Sequence, residues 1–106
     1  MKLTNGKVLY INTKDRKVVE VALKEKGKVI KNLIEENEYG SQVLLPLIFK
    51  LLRTTNSELK TLQGIEVETG PGSFTGLRVG VSVANALGFS LGIPVNGKKM
   101  ETNLNY

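Results

Sequence analysis

The chain has no cysteine and no histidine. Without cysteine there is no disulfide, no thiol nucleophile and no thiolate metal site. Without histidine the commonest general base and metal ligand is missing, and with it every Ser-His-Asp, Cys-His or HExxH arrangement. There is no tryptophan, and aromatic residues make up 6% of the chain, so the basic clusters carry no interleaved rings for base stacking. No apolar run approaches the ~20 residues of a membrane span. The opening MKLTNGKVLYINT has no signal-peptide core followed by a cleavage site. A soluble cytoplasmic protein with no membrane partner is expected.

Acidic residues are also in the minority, 10 against 15 Lys and Arg, for a formal net charge of +5. The bases gather near turns: Lys14, Arg16 and Lys17, then Lys24, Lys26 and Lys28, then Lys98 and Lys99. This distribution serves solubility first and permits phosphate contact second. At 106 residues the chain suits one domain that buries about two-thirds of its unfolded surface, which leaves a core with little to spare.

What is present in quantity is glycine, concentrated in Gly64 to Gly97, GIEVETGPGSFTGLRVGVSVANALGFSLGIPVNG. This stretch predicts a strand over Ile65 to Thr69, a turn over Gly70 to Gly76, a helix from about Thr75 to Leu91 closed by Gly92, and a strand beginning near Pro94. Ser73 or Thr75 is positioned to cap the helix. Small residues recur every fourth position at Gly76, Gly80, Ala84, Gly88 and Gly92, a ridge that lets another backbone come close. Gly80 and Gly88 each cost roughly 1 kcal/mol against alanine, so they need a packing reason. Either the domain's own sheet and neighbouring helix cover this helix on both sides, or a partner supplies one cover.

The rest of the chain supplies the other elements. Lys7 to Thr13, Lys17 to Leu23 and Lys28 to Ile34 read as three strands of an antiparallel meander. Glu35 to Tyr39 reads as a polar loop. Ser41 is placed to cap a helix reaching about Arg53, with Pro46 delaying its regular start to near Leu45 or bending it. Ser57 to Leu59 offers a short helical turn. The order β-β-β-α-β-α-β defines an α/β fold, a ribonuclease-H-like half with a mixed sheet. Glu66 and Glu68 alternate with Ile65 and Val67 on a strand that belongs inside the sheet, so both helices are expected on one face and water on the other.

The glycine turn is neither a Walker A loop nor a dinucleotide fingerprint, since the residues that follow have the wrong identity and spacing. A phosphate at the helix N-terminus over Gly70, Gly72, Ser73, Thr75 and Gly76 is one reading, and a tight crossover turn is the other. The first strand carries Asn12 where a two-metal nuclease or phosphotransferase needs a carboxylate, so catalysis is not expected, nor is a bound metal or other cofactor.

GPGSFTGLRVGVSVANALGFSLGIPVNG closely resembles the signature of the TsaB family, also called YeaZ, with weaker matches at YINT and at SQVLLPLI over Ser41 to Ile48. The resemblance implies a lobe of the actin, Hsp70 and sugar-kinase superfamily over 1–97, with a tail over 98–106; the second lobe that family members usually have is expected to be absent. It implies a non-catalytic partner of a TsaD-like subunit in making threonylcarbamoyladenosine in tRNA. A TsaE-like ATPase takes part, ATP is used by those partner subunits, and tRNA is reached indirectly. It further implies that the two helices pack against a partner's two helices, in a homodimer or a heterodimer. The interface candidates are Leu45, Ile48, Gly80, Ala84, Asn85 and Gly88. Two departures weaken any nucleotide-binding or catalytic reading: Gly40 stands where the family usually has histidine, and Asn12 where it has aspartate. The remaining alternatives are a small nucleotide- or phosphate-binding module and a stand-alone RNA-binding protein.

Overall fold

Three segments rich in apolar residues build the first strands in the computed structural model, which describes residues 6–36 and 40–106. Strand β1 (Lys7–Asn12), β2 (Val18–Glu25) and β3 (Lys28–Glu36) form an antiparallel meander. Helix α1 (Gly40–Thr54) and a three-ten turn (Leu59–Thr61) lead to β4 (Leu62–Val67), which returns parallel to β1. Helix α2 (Phe74–Leu91) follows. The sheet order is β3-β2-β1-β4.

The core lies between one sheet face and the two helices. Leu9, Ile11, Val19, Val21, Leu23, Ile65 and Val67 point from the strands into it, meeting Leu44, Leu47, Ile48 and Leu51 of α1 and Val81 and Ala84 of α2. Both helices thus sit on one face, and Glu66 stands exposed on the other, as the alternation in this strand required.

Several boundaries differ from expectation, each for a local reason. The loop expected over Glu35 to Tyr39 is strand at Glu35 and Glu36, because these residues pair with Val19 and Val18; residues 37–39, like the opening 1–5, lie outside the described residues. Pro46 sits inside α1 without delaying its start. Gln42, whose carbonyl loses its helical donor there, is exposed where water can replace it. Strand β4 begins at Leu62 and ends at Val67 rather than spanning Ile65 to Thr69, since Leu62 already pairs with Lys7. The strand expected from Pro94 shrinks to one parallel bridge, Ile65 to Val95, because the chain reverses at once through Asn96 and Gly97, both with positive φ. By length and composition α2 reaches the threshold for a membrane span, contrary to the reading of the apolar runs. In the fold it is a sheet-packed helix, capped by Ser73 Oγ at its start and by Gly92 at φ 69° at its end.

Residues 98–106 fold back along α2. The buried Glu101 anchors them: its backbone N–H donates to Asn85 Oδ1 and its carbonyl accepts from Asn85 Nδ2, both at 2.9 Å. Burial by itself would raise the Glu101 carboxyl pKa, but hydrogen bonds from Asn96, the Asn103 N–H and Lys98 outweigh it and hold the group lower. Farther on, the Asn105 N–H donates to the Thr69 carbonyl, and the Tyr106 ring lies 4.6 Å from that of Phe74.

Candidate functional site

The glycine turn is occupied by the chain itself. Ser73 N–H donates to the Lys14 carbonyl at 2.8 Å, and Gly76 N–H is taken by Ser73 Oγ. A Cβ at Gly72 would stand 2.6 Å from the Lys14 carbonyl oxygen, and one at Gly76 would collide with the Thr13 carbonyl. Thr13, buried, donates its hydroxyl to the Gly76 carbonyl at 2.5 Å. Carbonyl oxygens carry negative partial charge, so they line Gly72 and Gly76 with the wrong polarity for a phosphate. Gly70 lies against the Asn105 carbonyl, while Thr75 is exposed on the first turn of α2. The geometry is that of a tight crossover turn.

The small-residue ridge faces the same way. A Cβ on Gly80 would collide with Thr13 Oγ1, and one on Gly88 would lie 2.6 Å from Val95 Cγ2. Ala84 and Ile48 are fully buried in the core. Four of the six interface candidates therefore face inward and serve the domain's own packing; the close approach implied by their size is that of α2 to the sheet. Asn85 is committed to the backbone of Glu101. Leu45 alone among the six is an exposed apolar side chain.

The opposite side of the helical layer carries a different surface. Each of the three phenylalanines in the chain is exposed: Phe89 at 85%, Phe74 at 56% and Phe49 at 41%. On α1, Ser41, Leu45 and Phe49 form one exposed stripe at four-residue spacing. On α2, Phe74, Thr75, Arg78, Val79, Ser82 and Val83 line a groove of about 440 Å³ that Ser41 completes. The Arg78 guanidinium lies 5.2 Å from the Phe74 ring. Such a surface, apolar with a thin polar edge, suits burial against another protein. Helical spacing marks the Leu45 and Phe49 stripe in the sequence. Leu45 of that stripe is among the interface candidates, whereas the small-residue candidates Gly80, Ala84 and Gly88 belong inside.

The open sheet face is polar. Tyr10 hydroxyl donates to Glu68 at 2.7 Å, and Lys24 pairs with Glu66 at 2.7 Å while lying 4.9 Å from the Tyr10 ring. Burial, then the hydrogen bond to Glu68 and its negative charge, push the Tyr10 pKa up, so the phenol keeps its proton. Asn12 Oδ1 accepts from the Lys14 N–H, so the side chain at the position of interest on β1 serves the following turn. Among the described residues no three Asp or Glu side chains converge on a common point as metal ligands would.

Comparison with known proteins places this geometry. Residues 23–98 match the family model described as TsaD, tRNA N6-adenosine threonylcarbamoyltransferase. The tRNA threonylcarbamoyladenosine biosynthesis protein TsaB of Buchnera aphidicola (subsp. Schizaphis graminum) is 38% identical over 73 residues, 68% of this chain and 35% of that protein. TsaB of Bacillus subtilis is 30% identical over 89 residues, 84% of this chain and 39% of that one. The solved structure of YeaZ from Pseudomonas aeruginosa superposes with a TM-score of 0.78 at 31% identity, covering 85% of this chain and 42% of that one. A Bacteroides thetaiotaomicron protein with an actin-like ATPase fold shares the fold at a TM-score of 0.55 and 11% identity. The chain thus spans about 35 to 42% of the length of these TsaB and YeaZ relatives. By the family-model match, the TsaB relatives and the YeaZ superposition together, the chain belongs to the TsaB (YeaZ) branch of the tRNA threonylcarbamoyladenosine family.

Proposed function

We propose that this chain acts in tRNA threonylcarbamoyladenosine synthesis as a non-catalytic docking lobe, whose outer helical face seats a TsaD-like catalytic subunit. One observation carries the reading: the largest apolar side chains of the helical layer, Phe49, Phe74 and Phe89, point away from a core that is otherwise well filled. Leaving a whole ring in water forgoes roughly 1.5–3 kcal/mol and a half-exposed one proportionately less, a loss that a partner's surface recovers. The family's activity supplies the kind of partner. A TsaE-like ATPase joins the same assembly, ATP serves the partner subunits, and tRNA is met through the complex. Without the partner, the same face pairs two copies.

Two details support a non-catalytic role. Asn12 is engaged in holding the turn after β1, and the glycine turn is lined by backbone carbonyls where an anionic substrate would need donors. Neither the phosphate-binding nor the stand-alone RNA-binding alternative gains a specific contact from the geometry.

The test is the mass in solution of the chain mixed with the TsaD-like protein of the same source. The wild type is expected to form a heterodimer that Phe49→Glu and Phe89→Glu abolish, with circular dichroism unchanged. A wild-type chain that stays apart from that protein overturns the reading.

A further inference from the structure

Strand β3 is nine residues long and ends the sheet; among the described residues β2 is its only strand neighbour. Its outer edge therefore presents free N–H and C=O groups, the template on which another strand adds. The strand is apolar where it is bare, with Ile34 at 59%, Val29 at 55% and Ile30 at 47% exposure. Leu33 alone is half-buried against the core.

Its charges are sorted by position. Lys28 and Lys31 occupy the first half, Glu35 and Glu36 the second, and Asn32 stands at the centre. Charges on an edge strand normally discourage pairing. Here they discourage parallel pairing, which sets like against like, and favour an antiparallel copy of the same strand. We infer that β3 is a self-complementary edge, on which a second copy of this chain adds its own β3 antiparallel about a two-fold axis at Asn32.

The register follows from the pairing with β2. Lys31 lies opposite Leu23 and Val29 opposite Lys24, so Ile30 is the extra residue of a bulge. With Ile30 left out, Asn32 faces Asn32 of the second copy, Ile34 faces its Val29 and Glu35 faces its Lys28. The sides of the sheet agree as well. Val29 and Ile34 share the open face through their partners Lys24 and Glu20, while Lys28 and Glu35 share the helical face through Glu25 and Val19. The pairing doubles the four-stranded sheet, buries two Val–Ile pairs and forms two Lys–Glu pairs. The outer surface of the helices stays free, so this contact is compatible with the docking face yet independent of it.

Because the chain lacks cysteine, Asn32→Cys creates a single thiol at the proposed two-fold, where directly opposed strand residues are within disulfide reach. Under mild oxidation this variant is expected to form a linked dimer about tenfold faster than the control Lys99→Cys, which carries its thiol away from β3. Adding Lys28→Glu is expected to slow the linkage, although it lowers the net positive charge that opposes any encounter. Adding Glu35→Lys to that variant restores both the net charge and the rate. Circular dichroism of each variant confirms the fold, and these positions are all exposed. Linkage no faster than the control, or insensitive to Lys28→Glu, overturns the inference. So does loss of linkage on adding Phe49→Glu, which would place the contact on the helical face instead.

Discussion

The two sides of α2 are made of opposite materials. Its inner side is Gly76, Gly80, Ala84 and Gly88, pressed onto Thr13, Ile11 and Val95 so closely that added side-chain atoms have no room. Its outer side carries Phe89, with water as its neighbour, and exposed Ser82, while Val79 and Val83 lie half-buried at the edge of the core. Small residues here do not mark a partner's approach; they mark the approach of the domain's own sheet. Leu77 and Val81 join the core beside them, while the largest residues of the helix, Phe74 and Phe89, are exposed. The difference teaches that the helix is fixed by its small side and free to recognise with its large one.

The sharpest way to break this comparison is to exchange the materials. Gly80→Leu is expected to cost about 3 kcal/mol or more, because the side chain meets the buried side chains of Thr13 and Ile11. Ser82→Leu, two residues on and exposed, is expected to change stability by no more than about 0.5 kcal/mol. Denaturant titration of the pair measures the contrast, and equal effects would show that the inner side is not tightly packed.

The flank of α2 is tested next. Asn85→Ala removes both hydrogen bonds to the Glu101 backbone and is expected to cost about 2 kcal/mol, read as a lowered unfolding midpoint. If Asn85 instead served a partner, the isolated chain would keep its stability.

Acid addresses the same anchor more gently. The Glu101 carboxyl is held below its ordinary value of 4.5 in the folded chain, so the unfolded chain takes up the proton first as pH falls. Its stabilisation is therefore complete above that value and is lost as pH drops through the lower folded one. The melting temperature of the wild type is expected to fall through this range more steeply than that of Glu101→Gln. Parallel profiles would remove the carboxylate from the account.

The smallest effect on stability belongs to the outer face. Phe89→Ser is expected to leave stability within about 0.5 kcal/mol, since the ring is already in water, while weakening association with the TsaD-like protein in the same scattering measurement. A large loss of stability would mean that the ring supports the fold.

Sequence by itself determined the elements and their order. An apolar run specified β1, alternating residues specified β2 and the one-sided cover of β4, and the Gly70 to Gly76 turn with Ser73 specified where α2 begins, because these signals lie within a few residues of one another. The same sequence showed that α2 is unusual on its small side. It did not determine what that side touches. Thr13 is far from Gly80 in the chain, and only the parallel return of β4 beside β1 brings it under the helix; Val95 follows Gly88 closely, but it is held there by its bridge to Ile65 of β4. The fate of Asn85 was likewise decided by residues 98–106 folding back, and the truncation of the last strand by the reversal at Asn96 and Gly97. Periodicity sorts residues into faces, but which face meets the sheet is settled by the packing of distant segments, where a small side permits the closest approach and the greatest burial.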